Sequence, residues 1–219
     1  MKILVLSCDK NGDTFEAFHH CMEKYWKGHP EVIYKTETIT NPFYKTLNAD
    51  YPLSIWTKGI REVLDQIDDD KILLMIDDIF IHRPVDTERV EYACEHLTGN
   101  IANINFEQSF DLSDEETELK GFLKRRDGSP YQVSIMCGLW QKDKLKKVLS
   151  VDQNPWDVEY DRRTYGFDYY INGGDYIIDW GYRQTFVPVG ICRGKWTIEA
   201  IQFLKSEGFN VDKTRGIWW

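Results

Sequence analysis

No apolar stretch of this 219-residue chain approaches the roughly 20 residues that cross a bilayer, which excludes a helical membrane span. Met1-Lys-Ile-Leu-Val-Leu-Ser7 runs straight into a polar segment without a secretory cleavage pattern, so a cytoplasmic location is expected. The five cysteines (Cys8, Cys21, Cys94, Cys137, Cys192) are odd in number and scattered, and none forms Cys-x-x-Cys. A disulfide framework and a zinc site are therefore both disfavoured, leaving reduced, mostly buried thiols. Cations are in deficit, with 27 Lys and Arg against 36 Asp and Glu, and the net charge of −9 argues against a large nonspecific nucleic-acid interface, although a local basic groove fits an acidic protein. Repeats, low-complexity tracts and linkers are also missing, so a single domain over 1–219 is expected.

What is present is a core and an alternation. Hydrophobic residues make up 42% of the chain, ample for a folded interior. Lys2 to Ser7 reads as a buried strand, and Asn11-Gly-Asp13 offers a cap for a helix carrying Phe15, Phe18, Cys21, Met22 and Tyr25 at helical spacing. Glu31 to Thr38 reads as a second strand, and Ser54 as the cap of a helix through Ile55, Ile60, Val63, Leu64 and Ile67. Asp86 starts another helix, Ile101 to Phe106 forms a further strand, and Leu119 to Trp140 reads as a hairpin turning at Asp127-Gly-Ser129. This rhythm predicts an α/β fold: a mostly parallel central sheet flanked by helices, with a smaller antiparallel addition in the carboxyl-terminal half.

Lys71-Ile-Leu-Leu-Met-Ile-Asp-Asp-Ile79 carries the most information. Its aliphatic run fits a strand buried on both faces, and Asp77 and Asp78 at its carboxyl end fall in the crevice where open α/β sheets bind ligands. A metal-bound phosphate suits that place; a turn or a helix cap explains the pair equally well in isolation. Ser7-Cys8-Asp9 ends the first strand and converges on the same edge. In Asn154-Pro-Trp-Asp-Val-Glu159, Pro155 starts a short helix with Asp157 in its first turn and Glu159 just beyond, the alternative being a capped surface helix. Cys192-Arg-Gly-Lys-Trp196 sets Arg193 and Lys195 about a glycine, as suits a diphosphate or, equally, a solvated turn. Eight Trp and twelve Tyr exceed what such a core needs. Trp56, Trp140, Trp156, Trp180, Trp196, Trp218 and Trp219 stand beside polar residues, as rings that stack on sugars or bases do, and core or interface packing is the commoner use of any one of them.

Ile3-Leu-Val-Leu-Ser-Cys-Asp9, Met22-Glu-Lys-Tyr-Trp26, Ser54-Ile-Trp56, Ile72 to Phe80 with Pro84-Val-Asp86, Leu139-Trp-Gln-Lys142 and Pro155 to Glu159 together resemble small GT-A-fold glycosyltransferases of the bacterial surface-polysaccharide and phage type. The resemblance implies a nucleotide-sugar-binding half over 1–110 and an acceptor-binding half over 111–219. It implies that Asp77 and Asp78 hold a divalent metal, Mn or Mg, on the diphosphate of a nucleotide-sugar, a UDP-sugar first among donors. Ser7, Cys8, Asp9, Lys58, Arg61, Asp77, Arg193 and Lys195 would meet the donor. Glu159 would be the general base of an inverting transfer, with Asp78 beside it in the catalytic set, and Trp140, Trp156 and Asp157 would shape the acceptor site. Asp-Asp-Ile departs from the family's Asp-x-Asp, and the histidines His19, His20, His29, His82 and His96 include none late in the chain, where many relatives place a metal ligand.

The expected activity is transfer of one monosaccharide from a nucleotide-sugar to a hydroxyl. A second expectation keeps this chemistry but places the hydroxyl on a hydroxymethylated base of phage DNA, with Lys120, Lys124, Arg125 and Arg126 and then Lys142, Lys144, Lys146 and Lys147 as basic runs, and host cytoplasm as the location. A third is a sugar-binding module without turnover. Nucleotidyl transfer ranks lower, because Gly12 alone does not make a phosphate loop. The apolar tail Gly216-Ile-Trp-Trp219 suits packing, a lid or a subunit contact.

Overall fold

A computed structural model describes residues 1–109, 111, 113–129, 131–163, 165–179 and 189–218, with backbone alone at Lys213. Trp180 and Trp219 lie outside the described residues. Nine strands form one sheet: β1 (Lys2–Leu6), β2 (Val32–Thr36), β3 (Lys45–Asn48), β4 (Lys71–Ile76), β5 (Ile101–Gln108), β6 (Glu115–Glu116), β7 (Phe122–Lys124), β8 (Gly138–Gln141) and β9 (Asp168–Asn172), in the order β3-β2-β1-β4-β8-β5-β9-β7-β6. Strands β1 to β4 run parallel, as do β5 and β9, while β8 enters antiparallel to both β4 and β5.

Among the described residues the helices are α1 (Phe15–Tyr25), α2 (Trp56–Asp65), α3 (Thr87–His96), α4 (Lys142–Val148), α5 (Pro155–Tyr160) and α6 (Ile198–Ser206). Successive strand residues face opposite sides of the sheet, and this splits the core in two. Ile3, Val5, Leu73 and Met75 pack with Phe18 and Met22 of α1, Val90 of α3 and Leu204 of α6. Leu4, Leu6, Ile72 and Leu74 pack with Ile60 and Val63 of α2, Leu145 of α4 and Val158 of α5. Strands sandwiched in this way must be apolar at every position, which is why β1 and β4 read as continuous hydrophobic runs.

Several local expectations are corrected. Residues 119–140 form no hairpin: β7 pairs with β6 and β9, whereas β8 sits between β4 and β5. Gly138 permits this insertion, since a Cβ there would stand 2.7 Å from Asn103 Nδ2, which donates to Leu139 O. Ser54 is not a helix cap; it lies in the 3₁₀ turn Leu53–Ile55, and α2 begins after it. The 3₁₀ helix Asp9–Thr14 precedes α1. Asp86 and Asn154 do cap α3 and α5, accepting from Arg89 N and Asp157 N.

A second sheet of β10 (Ile191–Cys192), β11 (Lys195–Thr197) and β12 (Ile217–Trp218) is fastened to the end of β4. Phe80 N donates to Val189 O at 2.8 Å and Ile191 N to Asp78 O at 2.7 Å. A Cβ at Gly190 would lie 1.9 Å from Asp78 O, so only glycine allows this approach.

Candidate functional site

The carboxyl ends of β1, β4 and β5 point the same way, so the residues after them share one edge of the sheet. Asp77 is 1% exposed there and accepts from Ser7 Oγ (2.6 Å), Asn11 Nδ2 (2.9 Å) and Thr14 Oγ1 (3.2 Å). Burial lifts its carboxyl to about 7, with the donors from Ser7 and Asn11 opposing and the neighbouring Asp78 adding to the rise. Both Asp77 oxygens are engaged within the protein, so the side chain braces the 3₁₀ helix. Asp78 differs. Its Oδ1 is buried without a hydrogen-bond partner, and burial raises its carboxyl to about 6, with its own backbone N–H and then Arg215 pulling the other way.

Arg215 gives no comparable sign in the sequence, being one cation ahead of an apolar tail. Its Nε donates to Asp13 Oδ2 at 2.7 Å, its Nη2 reaches Asn11 Oδ1 at 3.2 Å and also meets Lys10 O and Asp13 Oδ1, and its guanidinium lies 6.0 Å from the Trp196 ring. The segment before β12 thus carries a fixed positive charge to the acidic edge. Cys8 is half-buried nearby, its thiol pushed up by burial and then by Asp77 and Glu37.

Other expected donor groups have different tasks. Asp9 accepts from the backbone N–H groups of Glu37, Thr38 and Ile39 and from the Thr38 hydroxyl, which against the effect of burial hold its carboxyl down at about 2. It fixes the loop after β2. Arg61 donates to Leu149 O and to Asp152 at 2.6 Å, and Lys58 lies 4.9 Å from the Tyr51 ring, so both serve the α2 side of the molecule. Arg193 and Lys195 occupy the β10–β11 turn with exposed side chains, Arg193 at φ 50°, on the hairpin fastened to Asp78.

A second acidic centre forms across the same edge. Glu159 Oε1 accepts from Ile135 N (3.2 Å) and faces Ser134 Oγ (3.5 Å), which also lies 3.2 Å from Glu107 Oε2. Burial raises the Glu159 carboxyl to about 7, the Ile135 amide opposes this, and Glu107 adds to it. Met136 and Cys137 line one small apolar cavity with Met75, Ile76, Ile79 and Ile81, which connects the Ser134 segment to the end of β4. Glu107 follows Ile101–Phe106, where Asn103 and Asn105 break the apolar pattern that marks Asp77, and the sequence does not single it out.

Among the aromatics, Trp140 is corrected: it is fully buried, 6.1 Å from Tyr169, opposite Ile72 at the amino end of β4, and cannot meet an acceptor. Trp156 is 57% exposed and Tyr160 64%, one turn apart on α5, and Tyr131 stands 5.5 Å from Tyr160. These rings form an open aromatic shelf on the helix that carries Glu159. Asp157 holds Asn154 Nδ2 at 2.6 Å in the helix cap. His82 pairs with Asp179 at 3.6 Å.

No protein-family model matches the chain, and no curated protein matches it. Solved structures do. A Methanothermobacter nucleotidyl transferase superposes with a TM-score of 0.52 at 13% identity, covering 80% of this chain and 88% of that one. The fold is GT-A-like. S. aureus TarS 1-349 in complex with UDP gives 0.49 at 12% identity over 81% of this chain and 59% of its own. The galactosyltransferase LgtC, in complex with donor and acceptor sugar analogs, gives 0.44 at 16% identity over 67% of this chain and 60% of its own. Among the described residues of this GT-A-like chain, no helix is long and apolar enough to cross a membrane, and no three His, Cys, Asp or Glu side chains gather as a metal site. Of the acidic pair, Asp78 has the oxygen without a hydrogen-bond partner.

Proposed function

We propose that the protein is a glycosyltransferase that moves one monosaccharide from a nucleotide-sugar, a UDP-sugar first among donors, onto a saccharide hydroxyl with inversion. The observation that carries this reading is Asp78, an acid with an unpartnered buried oxygen at the carboxyl end of β4, facing Arg215 on the edge that also holds Glu159. Asp78 fits as a single protein ligand to Mn or Mg, whose remaining oxygen ligands come from diphosphate and water. Such a cation, when bound, offsets charge on the departing diphosphate. Arg215, held by Asp13, presents its guanidinium at the same place, and Arg193 and Lys195 flank it from the hairpin.

Glu159 accepts the proton of the acceptor hydroxyl as the oxygen bonds to the anomeric carbon and the bond from that carbon to the diphosphate oxygen breaks. Its carboxyl, lifted to about 7, suits a base at neutral pH. Trp156, Tyr160 and Tyr131 offer flat apolar faces for an acceptor sugar. The DNA alternative is less well supported, because Lys124 and the whole second basic run have partners within the protein. Lys124 pairs with Asp168 at 2.6 Å, Lys142 donates to Ile67 O at 2.6 Å, Lys146 pairs with Asp65, and Lys144 and Lys147 lie over the Phe167 ring.

Incubation with a panel of nucleotide-sugars and Mn²⁺ tests the assignment. Release of nucleoside diphosphate is expected with at least one donor, and Asp78→Ala lowers it about 10²-fold or more while leaving the thermal melt unchanged. Pyrophosphate release from a nucleoside triphosphate and a sugar phosphate, with no donor cleavage, would instead make the protein a nucleotidyl transferase.

A further inference from the structure

The hydrogen bonds around Ser134 do not balance if both nearby acids are ionised. Ser134 Oγ accepts from Met136 N at 3.2 Å while lying 3.2 Å from Glu107 Oε2 and 3.5 Å from Glu159 Oε1. A serine hydroxyl has one hydrogen, so it can satisfy one carboxylate and presents only lone pairs to the other. Two ionised carboxylates around one such oxygen, in a desolvated place, repel each other, and only one of them receives the serine hydrogen while Glu159 keeps the Ile135 amide. Every contact is satisfied when one acid carries its own proton and donates it to Ser134 Oγ, releasing the serine hydrogen for the other.

We propose that Glu107 and Glu159 hold one proton between them through Ser134, so that Glu107 acts as the positioning residue that sets when Glu159 is free to accept a proton from substrate. The inference rests on the reading of Glu159 as the base. The surroundings of the pair are consistent with it. From β5, the Glu107 backbone N–H donates to Asn105 Oδ1 at 2.6 Å; before β8, the Ile135 amide donates to Glu159 and the buried Cys137 thiol faces Glu107. The one cation facing the pair among the described residues is Arg125, which follows β7. It donates to Tyr131 O and is attracted to Asp114 and Asp111 as well as to Glu107, so its charge is shared among several acids. Burial raises both Glu107 and Glu159, and the Glu107 charge adds to the rise of Glu159, the direction a proton held between the two requires.

Glu107→Gln separates this from a merely structural role. The glutamine NH₂ can donate to Ser134 as a protonated Glu107 would, but it cannot titrate. The acid limb of kcat/KM against pH is then expected about one pH unit below that of the unsubstituted protein, with the melting temperature preserved. Infrared titration of the carboxyl C=O stretch gives a readout that needs no turnover. Over the background of Asp77 and Asp78, the unsubstituted protein shows a further carboxyl titrating near neutrality, and Glu107→Gln moves it to lower pH. Should Glu107→Gln fold poorly, Glu159→Gln reads the same coupling from the other side, because the Glu107 band then shifts downward. An infrared titration unchanged by both substitutions overturns the proposal. If the band shifts as expected while Glu159→Gln turns over donor and acceptor normally, the shared proton stands and the assignment of Glu159 as base fails.

Discussion

Asp77 and Asp78 are adjacent acids with opposite situations, and the difference lies in where their oxygens point. Asp77 faces inward to three donors, so its charge is a liability of burial. Its carboxyl titrates at about 7 against an ordinary 3.8, so folding favours the neutral form. The stability it contributes is complete below about pH 4 and is lost as the pH rises through 7. Asp77→Asn should therefore flatten the fall of melting temperature between about pH 4 and pH 7, and equal slopes in both proteins would refute this. Glu159→Gln should lower transfer by about 10² to 10⁴-fold, with the donor dissociation constant unchanged by calorimetry. Loss of donor binding in the same proportion would make Glu159 a donor contact. The Asp77-Asp78 pair and Glu159 stand out in the sequence because an acid ending an apolar run, or following Asn-Pro in a helix start, is a local signal. The partners Asn11, Arg215 and Glu107 are supplied from other parts of the chain, and the burial of Trp140 depends on strand neighbours that its own sequence does not name.

Among the elements, the decisive contact is between the end of β4 and the carboxyl-terminal sheet, where Gly190 passes against the Asp78 carbonyl. Gly190→Ala cannot keep that contact. It should cost about 1–3 kcal/mol by chemical denaturation and reduce transfer as well, because the strand end that presents Asp78 must shift. An active variant of ordinary stability would mean that the hairpin's attachment does not position the acid. Strands β1, β4 and β5 and helices α1, α3 and α5 were legible because each carries its own period or cap. Strand β8 was not: four residues long, it pairs with β4 across more than sixty residues of chain, a choice made by tertiary packing.

For the molecule as a whole, the α/β architecture followed from the alternation of elements, and the GT-A likeness agrees with it. The two faces of the sheet are closed by separate helix layers, while the carboxyl edge gathers groups from both ends of the chain: Ser7, Asn11 and Thr14 from the first strand and turn, and Arg215 from the last. That edge combines an acid with an unpartnered oxygen, the Arg215–Asp13 pair and a carboxyl raised to neutrality, which are the groups the proposed cation-assisted departure of nucleoside diphosphate calls on. Calorimetric titration of UDP with and without Mn²⁺ tests this most directly. The account predicts UDP binding that tightens with Mn²⁺ in the unsubstituted protein and loses that dependence in Asp78→Ala. Binding that is indifferent to Mn²⁺ and identical in the two proteins would contradict it.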